Sequence, residues 1–281
     1  MAKTDDTSVD DSDDFKHNDQ PEEEEEEQLA EGTLVSHLVE LRSRIMKASM
    51  AVLVVFICLA PFAKKIYTTL SVPLQRHLPA DASMIATSVT SPFLTPFKLT
   101  LFVALFIAIP VVLYQAWAFV APGLYRKEQK FAIPLLVSSV VLFYLGMAFA
   151  YFVVFPLMFG FFAGATPEGV IWMTDISQYL DFVLAMFLAF GIAFEVPIAT
   201  VLLVATGLVS RAALGKVRAY VFLGAFVGGM LLTPPDAISQ TLLAVPVYLL
   251  YEVGLLLSGV IVKEPWLRRD EDDSAATDAE P

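Results

Sequence analysis

Residues 99–120, LTLFVALFIAIPVVLYQAWAFV, form a long apolar run without a single charged side chain. A helix that crosses the hydrocarbon core of a bilayer needs about 20 consecutive, mostly apolar residues. Five further apolar stretches occur along the chain. The six stretches are approximately 47–63, 99–120, 131–155, 179–206, 217–232 and 237–262. The sequence therefore predicts an all-α polytopic membrane protein with six transmembrane helices.

Two of these stretches are short, and the loops around them differ in length. The first and fifth stretches fall below a full span, so we expect helix tilt or local bilayer thinning there. Only residues 233–236 separate the last two stretches, which predicts a tight helical hairpin. The first outer loop, about 64–98, is long and contains four prolines. Loops of this length are usually functional when ordered.

The charge of the chain is concentrated at its two ends. The 281 residues are 57% hydrophobic and carry a formal net charge of -12. Residues 1–32 and 263–281 are strongly acidic, whereas residues 33–262 carry more bases than acids. Such acidic segments cannot bury enough apolar surface to fold by themselves. We therefore predict two acidic disordered tails that flank one membrane domain, with each tail either a solvated extension or an interaction segment.

The composition also disfavours several kinds of chemistry. Cys58 is the one cysteine, and the three histidines do not lie at metal-ligand spacing, so no metal site or cofactor is expected. The chain contains no GxSxG, HExxH or Gly-rich phosphate-binding motif. We therefore predict that the protein is not an enzyme, and an intramembrane hydrolase is disfavoured because no nucleophile–base pair can be assembled.

The basic residues indicate how the helices are oriented, because cytoplasmic loops retain Lys and Arg. Twelve bases fall before the first stretch, between the second and third, between the fourth and fifth, and after the sixth. The opposite side has four, namely Lys64, Lys65, Arg76 and Lys98. The asymmetry predicts that both termini, and therefore both acidic tails, face the cytoplasm.

Acids within the spans are rare. Glu195 lies roughly 24 Å into the fourth stretch, counted from Tyr179 at 1.5 Å per residue. A charge there costs at least ~2.5 kcal/mol, so the side chain should face protein or water. A functional role is favoured over the alternative, a protonated glutamate bonded to a neighbouring helix. For Glu252 a functional role and snorkelling to the cytoplasmic interface are equally compatible with its position.

Two isolated acids lie on the predicted cytoplasmic face. Glu40 and Glu128 are each surrounded by basic residues. Carboxylates of this kind can receive guanidinium groups in a bidentate geometry. Composition alone slightly favours the alternative, in which the acids pair with the neighbouring Arg44 or Lys127.

Six ordered motifs along residues 34–258 resemble the TatC family, the polytopic core component of the twin-arginine protein translocase. HLVELRSRI at 37–45 resembles the amino-terminal motif of that family, and SPF at 91–93 with Lys98 resembles its outer-loop motif. A third pattern runs from Pro110 through the loop to Glu128. The remaining motifs are FYLGMAFAYFVVFP at 143–156, FGIAFEVP at 190–197 and LLTPPDAISQ at 231–240. The long acidic amino-terminal extension departs from the family pattern.

The resemblance implies both a fold and a function. It implies six helices in a concave, glove-like arrangement, with both ends cytoplasmic and helices five and six short. It further implies a signal-peptide receptor in the bacterial cytoplasmic (inner) membrane, which exports folded proteins by using the protonmotive force. The implied partners are twin-arginine signal peptides, TatA- and TatB-type single-span proteins, and further copies of the chain. No nucleic acid is implied as a partner.

The resemblance also assigns roles to particular residues. The residues implied in signal-peptide binding are Glu40, Arg42, Phe119 and Glu128. The residues implied in an intramembrane polar or partner-binding site are Glu195, Asp236 and Gln240. Pro73 matches a position that shapes the outer loop. The alternative to this function is an ion-coupled small-solute carrier, in which Glu195 is the proton site.

Overall fold

The computed structural model describes residues 20–75, 83–120, 132–167, 170, 173–232 and 237–261. The chain divides into two units, residues 1–47 and residues 48–281. Ten α-helices, a 3-10 turn at Ala60–Phe62, a π-helical turn at Ala150–Val154 and two short strands form the described part. The helices are α1 Gln20–Leu59, α2 Ala63–Gln75, α3 Ser91–Val120, α4 Ala132–Phe149, α5 Phe155–Ala165, α6 Ile176–Ala193, α7 Val196–Ala205, α8 Arg211–Lys216, α9 Arg218–Leu232 and α10 Ala237–Ile261.

Five helical segments of the described residues are long and apolar enough to cross a membrane. They are Leu38–Leu70, Ser91–Phe119, Ile133–Ala165, Ile176–Ala205 and Gln240–Ile261. The fifth predicted stretch corresponds to the 15-residue α9, which at 1.5 Å per residue is only about 22 Å long. The prediction of a mostly helical membrane protein is thus confirmed, and the prediction of a short fifth helix is confirmed with it.

The sixth helix is long enough to cross a membrane, although its candidate span has 22 residues, against 29 to 33 in the other four. The helix α10 has 25 residues and continues past Glu252 to Ile261. The apolar sequence can continue across this acid because Arg218 neutralises it, with Nε 2.8 Å from Oε1 of Glu252. Pro246, inside α10, does not end the helix either.

The amino-terminal helix begins earlier than the apolar pattern indicates. The helix α1 starts at Gln20, within the stretch that we assigned to an acidic tail. The boundaries of both tails remain predictions, and residues 263–281 lie outside the described residues.

The predicted outer loop contains regular structure. The helix α2 occupies its first part, because Ile66, Tyr67 and Leu70 form an apolar face that packs against the core. The strand β1, Ser83–Ile85, pairs in parallel with β2, Met173–Asp175, in the loop before α6. This two-stranded sheet joins segments that lie about 90 residues apart in the sequence.

An acid secures the connection between these two segments. Oδ2 of Asp175 accepts hydrogen bonds from the backbone N and the Oγ1 of Thr87, at 2.8 and 2.6 Å. Its Oδ1 accepts from the backbone N of Ser177 at 2.8 Å and of Gln178 at 3.2 Å, which caps the start of α6. These hydrogen bonds, the one from the Thr87 hydroxyl foremost, lower the pKa of Asp175 to about 2.

The apolar core lies where α3, α4, α5 and α6 pack together. Phe155, Met158 and Phe190 are fully buried in its larger cluster. The helices α4 and α6 approach each other closely, since a Cβ at Gly191 would lie 2.7 Å from the Phe143 ring and one at Gly146 would meet the Phe190 carbonyl. The close contact fixes the relative position of two of the helices that position the polar site described next.

Candidate functional site

A chain of hydrogen bonds joins three helices inside the membrane domain. The indole Nε1 of Trp117, on α3, donates to the Oγ of Ser139, on α4, at 3.1 Å. The hydroxyl of Ser139 in turn donates to Oε2 of Glu195 at 2.6 Å. Ser139 is fully buried, Trp117 is buried, and Glu195 is partly buried. We call Trp117, Ser139 and Glu195 the intramembrane relay.

The chemistry of the donors fixes the direction of this relay. An indole N–H can only donate, so the Ser139 oxygen must accept from Trp117. The Ser139 proton is then available for Glu195, whose Oε2 accepts it. Oε1 of Glu195 is buried and has no hydrogen-bond partner among the described residues. The relay therefore holds one carboxyl oxygen and leaves the other for a further polar group.

The backbone at Glu195 is interrupted, as the proline two residues later predicts. Helix α6 ends at Ala193 and α7 begins at Val196. Pro197 has no N–H to offer the Ala193 carbonyl, so the regular ladder cannot continue through it. The backbone N of Glu195 instead bonds the carbonyl of Ile192 at 3.0 Å. This break places Glu195 at a joint between two helices rather than in the middle of one.

Helix α10 supports the joint from one side. A Cβ at Gly254 would lie 2.8 Å from Cα of Pro197 and 2.9 Å from Cβ of Thr200. Only a glycine at this position allows α10 to approach the first turn of α7 so closely. The start of α7, directly after Glu195, is therefore packed tightly against α10. This packing limits how α7 can move.

The first unit carries two of the predicted residues. Glu40 pairs with Arg44 one turn later on α1, with Nη2 of Arg44 3.1 Å from Oε1 of Glu40. This is the alternative that the sequence left open for Glu40. The side chain of Glu40 is 38% exposed, and the contact engages only one of its oxygens. Arg42 lies on the same helix and is exposed.

The other predicted residues are distributed over the second unit. Phe119 lies in the last turn of α3 and is partly buried, and Gln240 lies near the start of α10 and is partly buried. The backbone of Pro73 lies in α2. Glu128 and Asp236 lie outside the described residues.

Sequence reasoning missed Ser139 and assigned no role to Trp117. Neither residue stands out, because a serine in an apolar helix commonly bonds its own backbone. The only available signal was the cost of burying Glu195, which required some hydrogen-bond donor from a neighbouring helix. The burial of Glu195 therefore predicts that a donor exists but not which residue supplies it.

Comparison with known proteins gives a consistent result over most of the chain. The family model "Sec-independent protein translocase protein (TatC)" matches residues 36–246. A relative from Azotobacter chroococcum mcd 1, named Sec-independent protein translocase protein TatC, is 59% identical over 87% of this chain and 93% of its own length. The protein of that name from Escherichia coli (strain K12) is 58% identical over 80% of this chain and 87% of its own length.

A solved structure shares the fold. The structure described as "Crystal Structure of Twin Arginine Translocase Receptor- TatC" superposes with a TM-score of 0.71 at 38% identity. The match covers 80% of this chain and 98% of that one. The relatives are named as translocase proteins, which is a transport role rather than catalysis. With a family model over residues 36–246 and relatives of this identity, the chain belongs to the TatC family of Sec-independent protein translocase proteins.

Proposed function

We propose that the protein is the signal-peptide receptor and core subunit of a twin-arginine translocase. It exports folded proteins across the bacterial cytoplasmic membrane with TatA- and TatB-type partners, and it draws its energy from the protonmotive force rather than from an enzymatic reaction. The observation that carries the proposal is the Glu40 carboxylate, which already binds a guanidinium and keeps one oxygen available.

The Glu40–Arg44 pair supports an exchange of guanidinium groups. A solvent-accessible ion pair between positions i and i+4 of a helix contributes only about 0.3–0.5 kcal/mol. An arginine of a signal peptide can therefore displace Arg44 at little cost. Lysine cannot replace it equally well, because an ammonium does not form the planar fork that matches a carboxylate. The arrangement favours arginine over lysine in the arriving peptide.

The remaining signal-peptide residues enter by resemblance to the family. Glu128 receives the second guanidinium, Arg42 orients the motif or a carboxylate, and Phe119 packs against the peptide. The exposed position of Arg42 and the placement of Phe119 at the end of α3 are compatible with these roles.

The intramembrane relay and the α9–α10 hairpin serve partner binding in this proposal. Oε1 of Glu195 meets a polar group of a partner or of the signal-peptide helix. Asp236 and Gln240 form a polar docking surface on the outer half of the membrane, and Pro73 shapes the outer cap. The buried, unpartnered Oε1 of Glu195 supports this reading, because an orphaned buried oxygen is costly unless something binds it.

The proposed topology has six spans in a concave arrangement, with both termini in the cytoplasm. It counts α9 as the fifth span, although α9 is shorter than the hydrocarbon core of about 30 Å. Thinning of the bilayer at α9 makes such a span possible. The twelve bases on one face of the predicted topology support the orientation.

A crosslinking experiment tests the receptor function. A photoreactive twin-arginine signal peptide should crosslink to the wild-type protein in membranes, and Glu128→Ala should abolish the crosslink without reducing membrane insertion. Glu128→Asp should be milder than Glu128→Gln, because charge matters more than reach. Normal crosslinking in Glu128→Ala would remove this residue from the site.

A further inference from the structure

We propose that Arg218, Glu252 and Tyr248 form a latch that fixes the position of α9 along α10. The proposal rests on the function above, in which partner proteins bind the α9–α10 hairpin. The three side chains are positioning residues: they contact no partner themselves, and they set where the partner-binding surface of the hairpin lies. Neither the relay at Glu195 nor the signal-peptide residues include them.

The contacts of the latch are directional. Nε of Arg218 lies 2.8 Å from Oε1 of Glu252, and Nη2 of Arg218 donates to Oε2 at 3.0 Å. The hydroxyl of Tyr248, one turn earlier on α10, donates to Oε1 at 2.8 Å. Both oxygens of the carboxylate thus bind the first residue of α9 in a two-point fork, which tolerates little displacement in any direction.

The face of α9 that carries Gly224 and Gly228 gives little resistance to sliding. The helix packs mainly against α10, and an apolar cavity of about 570 Å³ lies between α6, α9 and α10. Gly224 and Gly228 line this cavity, and a Cβ at either position would contact nothing within 4 Å. Elsewhere, Phe222 of α9 packs edge-on against Tyr248, with ring centroids 5.4 Å apart. The axial position of α9 is therefore set at the Tyr248–Glu252 end of α10 rather than along this glycine face.

The α10 side of the latch lies within a candidate membrane span, which makes the ion pair harder to break. Glu252 lies within the candidate span Gln240–Ile261, nine residues before its end. At 1.5 Å per residue this is roughly 14 Å from the end of α10. A charge at such a position is stable only while it is paired or hydrated. Arg218 is 50% exposed and Glu252 25% exposed, so the pair holds the start of α9 at this level, whereas either charge alone would move toward water.

A register measurement tests the latch directly. A Cβ at Gly229 would lie 3.7 Å from Cα of Gln240, so Gly229→Cys with Gln240→Cys reports the axial position of α9 by disulfide formation. Cys58→Ala removes the exposed native thiol. The variants added to this parent are Arg218→Gln, Glu252→Gln and the exchange Arg218→Glu/Glu252→Arg. Lys98→Gln is the matched control, because Lys98 pairs with Asp181 between α3 and α6.

Three readouts are made in membranes from the full-length chain. We expect each single latch variant to lower disulfide yield at least fivefold, and the exchange variant to return it to within twofold of the parent. Without the two cysteines, the single variants should lower copurification of a TatB-type partner at least fivefold. Retention of an Arg-Arg signal peptide should stay within twofold, which a general folding defect would not allow.

The outcomes separate the latch from the proposed function. Disulfide yields within twofold of the parent in both single variants would overturn the latch. A lowered disulfide yield with unchanged copurification of the TatB-type partner would also overturn it. A failure of the exchange variant to recover would also contradict it. If the wild-type protein retains Arg-Arg and Lys-Lys peptides equally, the receptor function fails, while the disulfide yields still decide whether the latch exists.

Discussion

The intramembrane relay predicts that Ser139→Ala destabilises the protein more than the loss of one small hydroxyl would suggest. Ser139 accepts from Trp117 at 3.1 Å and donates to Glu195 at 2.6 Å. Alanine removes both contacts at once. The indole N–H and Oε2 of Glu195 then remain in the protein interior without this partner.

The expected magnitude follows from the two lost contacts. Hydrogen bonds between membrane helices contribute about 0.6 kcal/mol on average and at most about 1.7 kcal/mol. Two of them give about 1–3 kcal/mol. Trp117→Phe should be milder, because it removes the donor and leaves the bond from Ser139 to Glu195 intact.

A matched control isolates the effect of the network from that of any buried hydroxyl. Thr100 is also fully buried, but its Oγ1 donates to the carbonyl of Pro96 in its own helix at 2.7 Å. Thr100→Val preserves the shape and leaves no interhelical group unpaired, so its cost should stay below about 1 kcal/mol. The free energy of unfolding, measured by far-UV circular dichroism in mixed micelles titrated with a denaturing detergent, compares the three variants.

One result would refute the reasoning. If Ser139→Ala and Thr100→Val cost the same within about 0.5 kcal/mol, the three relay side chains do not act as a network. The same conclusion follows if Trp117→Phe, after allowance for its smaller ring, costs as much as Ser139→Ala.

Three further predictions concern other parts of the chain. Gly254→Ala should cost about 1–3 kcal/mol of unfolding free energy, because the new Cβ would lie 2.8 Å from Pro197, whereas Gly160→Ala, which contacts nothing within 4 Å, should cost nothing. Asp175→Asn should lower the melting temperature by a constant amount above about pH 5. The difference should shrink as the pH falls toward 2, because the hydrogen bonds that depress the pKa of Asp175 stabilise the fold only while the carboxyl is ionised. Deleting residues 2–30 should slow association of a twin-arginine peptide at low ionic strength and leave it unchanged at physiological salt, where the Debye length is about 8 Å. Unchanged rates at low ionic strength would mean that the tail is only a solvated extension.

The long helices could be predicted because their signal is local and strong. Runs such as 99–120 lack charges over the length of a span, and the structure places α3 there. The break at Glu195 was also foreseeable from Pro197, which cannot continue the hydrogen-bond ladder. In both cases the residues that determine the structure lie within a few positions of the feature.

Features that depend on distant contacts could not be predicted in the same way. The pairing of β1 with β2 involves three residues on each side and has no periodic pattern of its own. Helix α2 contains Lys64, Lys65 and Pro73, a composition that resembles a loop. Its apolar face can be recognised only once the core around Leu99 is known. The full length of α10 depends on Arg218, which lies 34 positions before Glu252.

The polar site also has one part that nearby residues predict and another part that depends on distant contacts. The burial cost of Glu195 indicated a partner, but Ser139 and Trp117 come from other helices and leave no spacing pattern in the sequence. The ambiguity of Glu40 was of a different kind. Its neighbour Arg44 was an evident candidate, and the structure confirms that pair while leaving the carboxylate 38% exposed.

In the proposed function, two carboxylates of this chain select two guanidinium groups. The most direct test is copurification of the detergent-solubilised protein with a signal peptide that carries either Arg-Arg or Lys-Lys and is otherwise identical. We expect the Arg-Arg peptide to be retained at least tenfold better, which corresponds to about 1.4 kcal/mol of discrimination. Equal retention of the two peptides would contradict this selection of arginine.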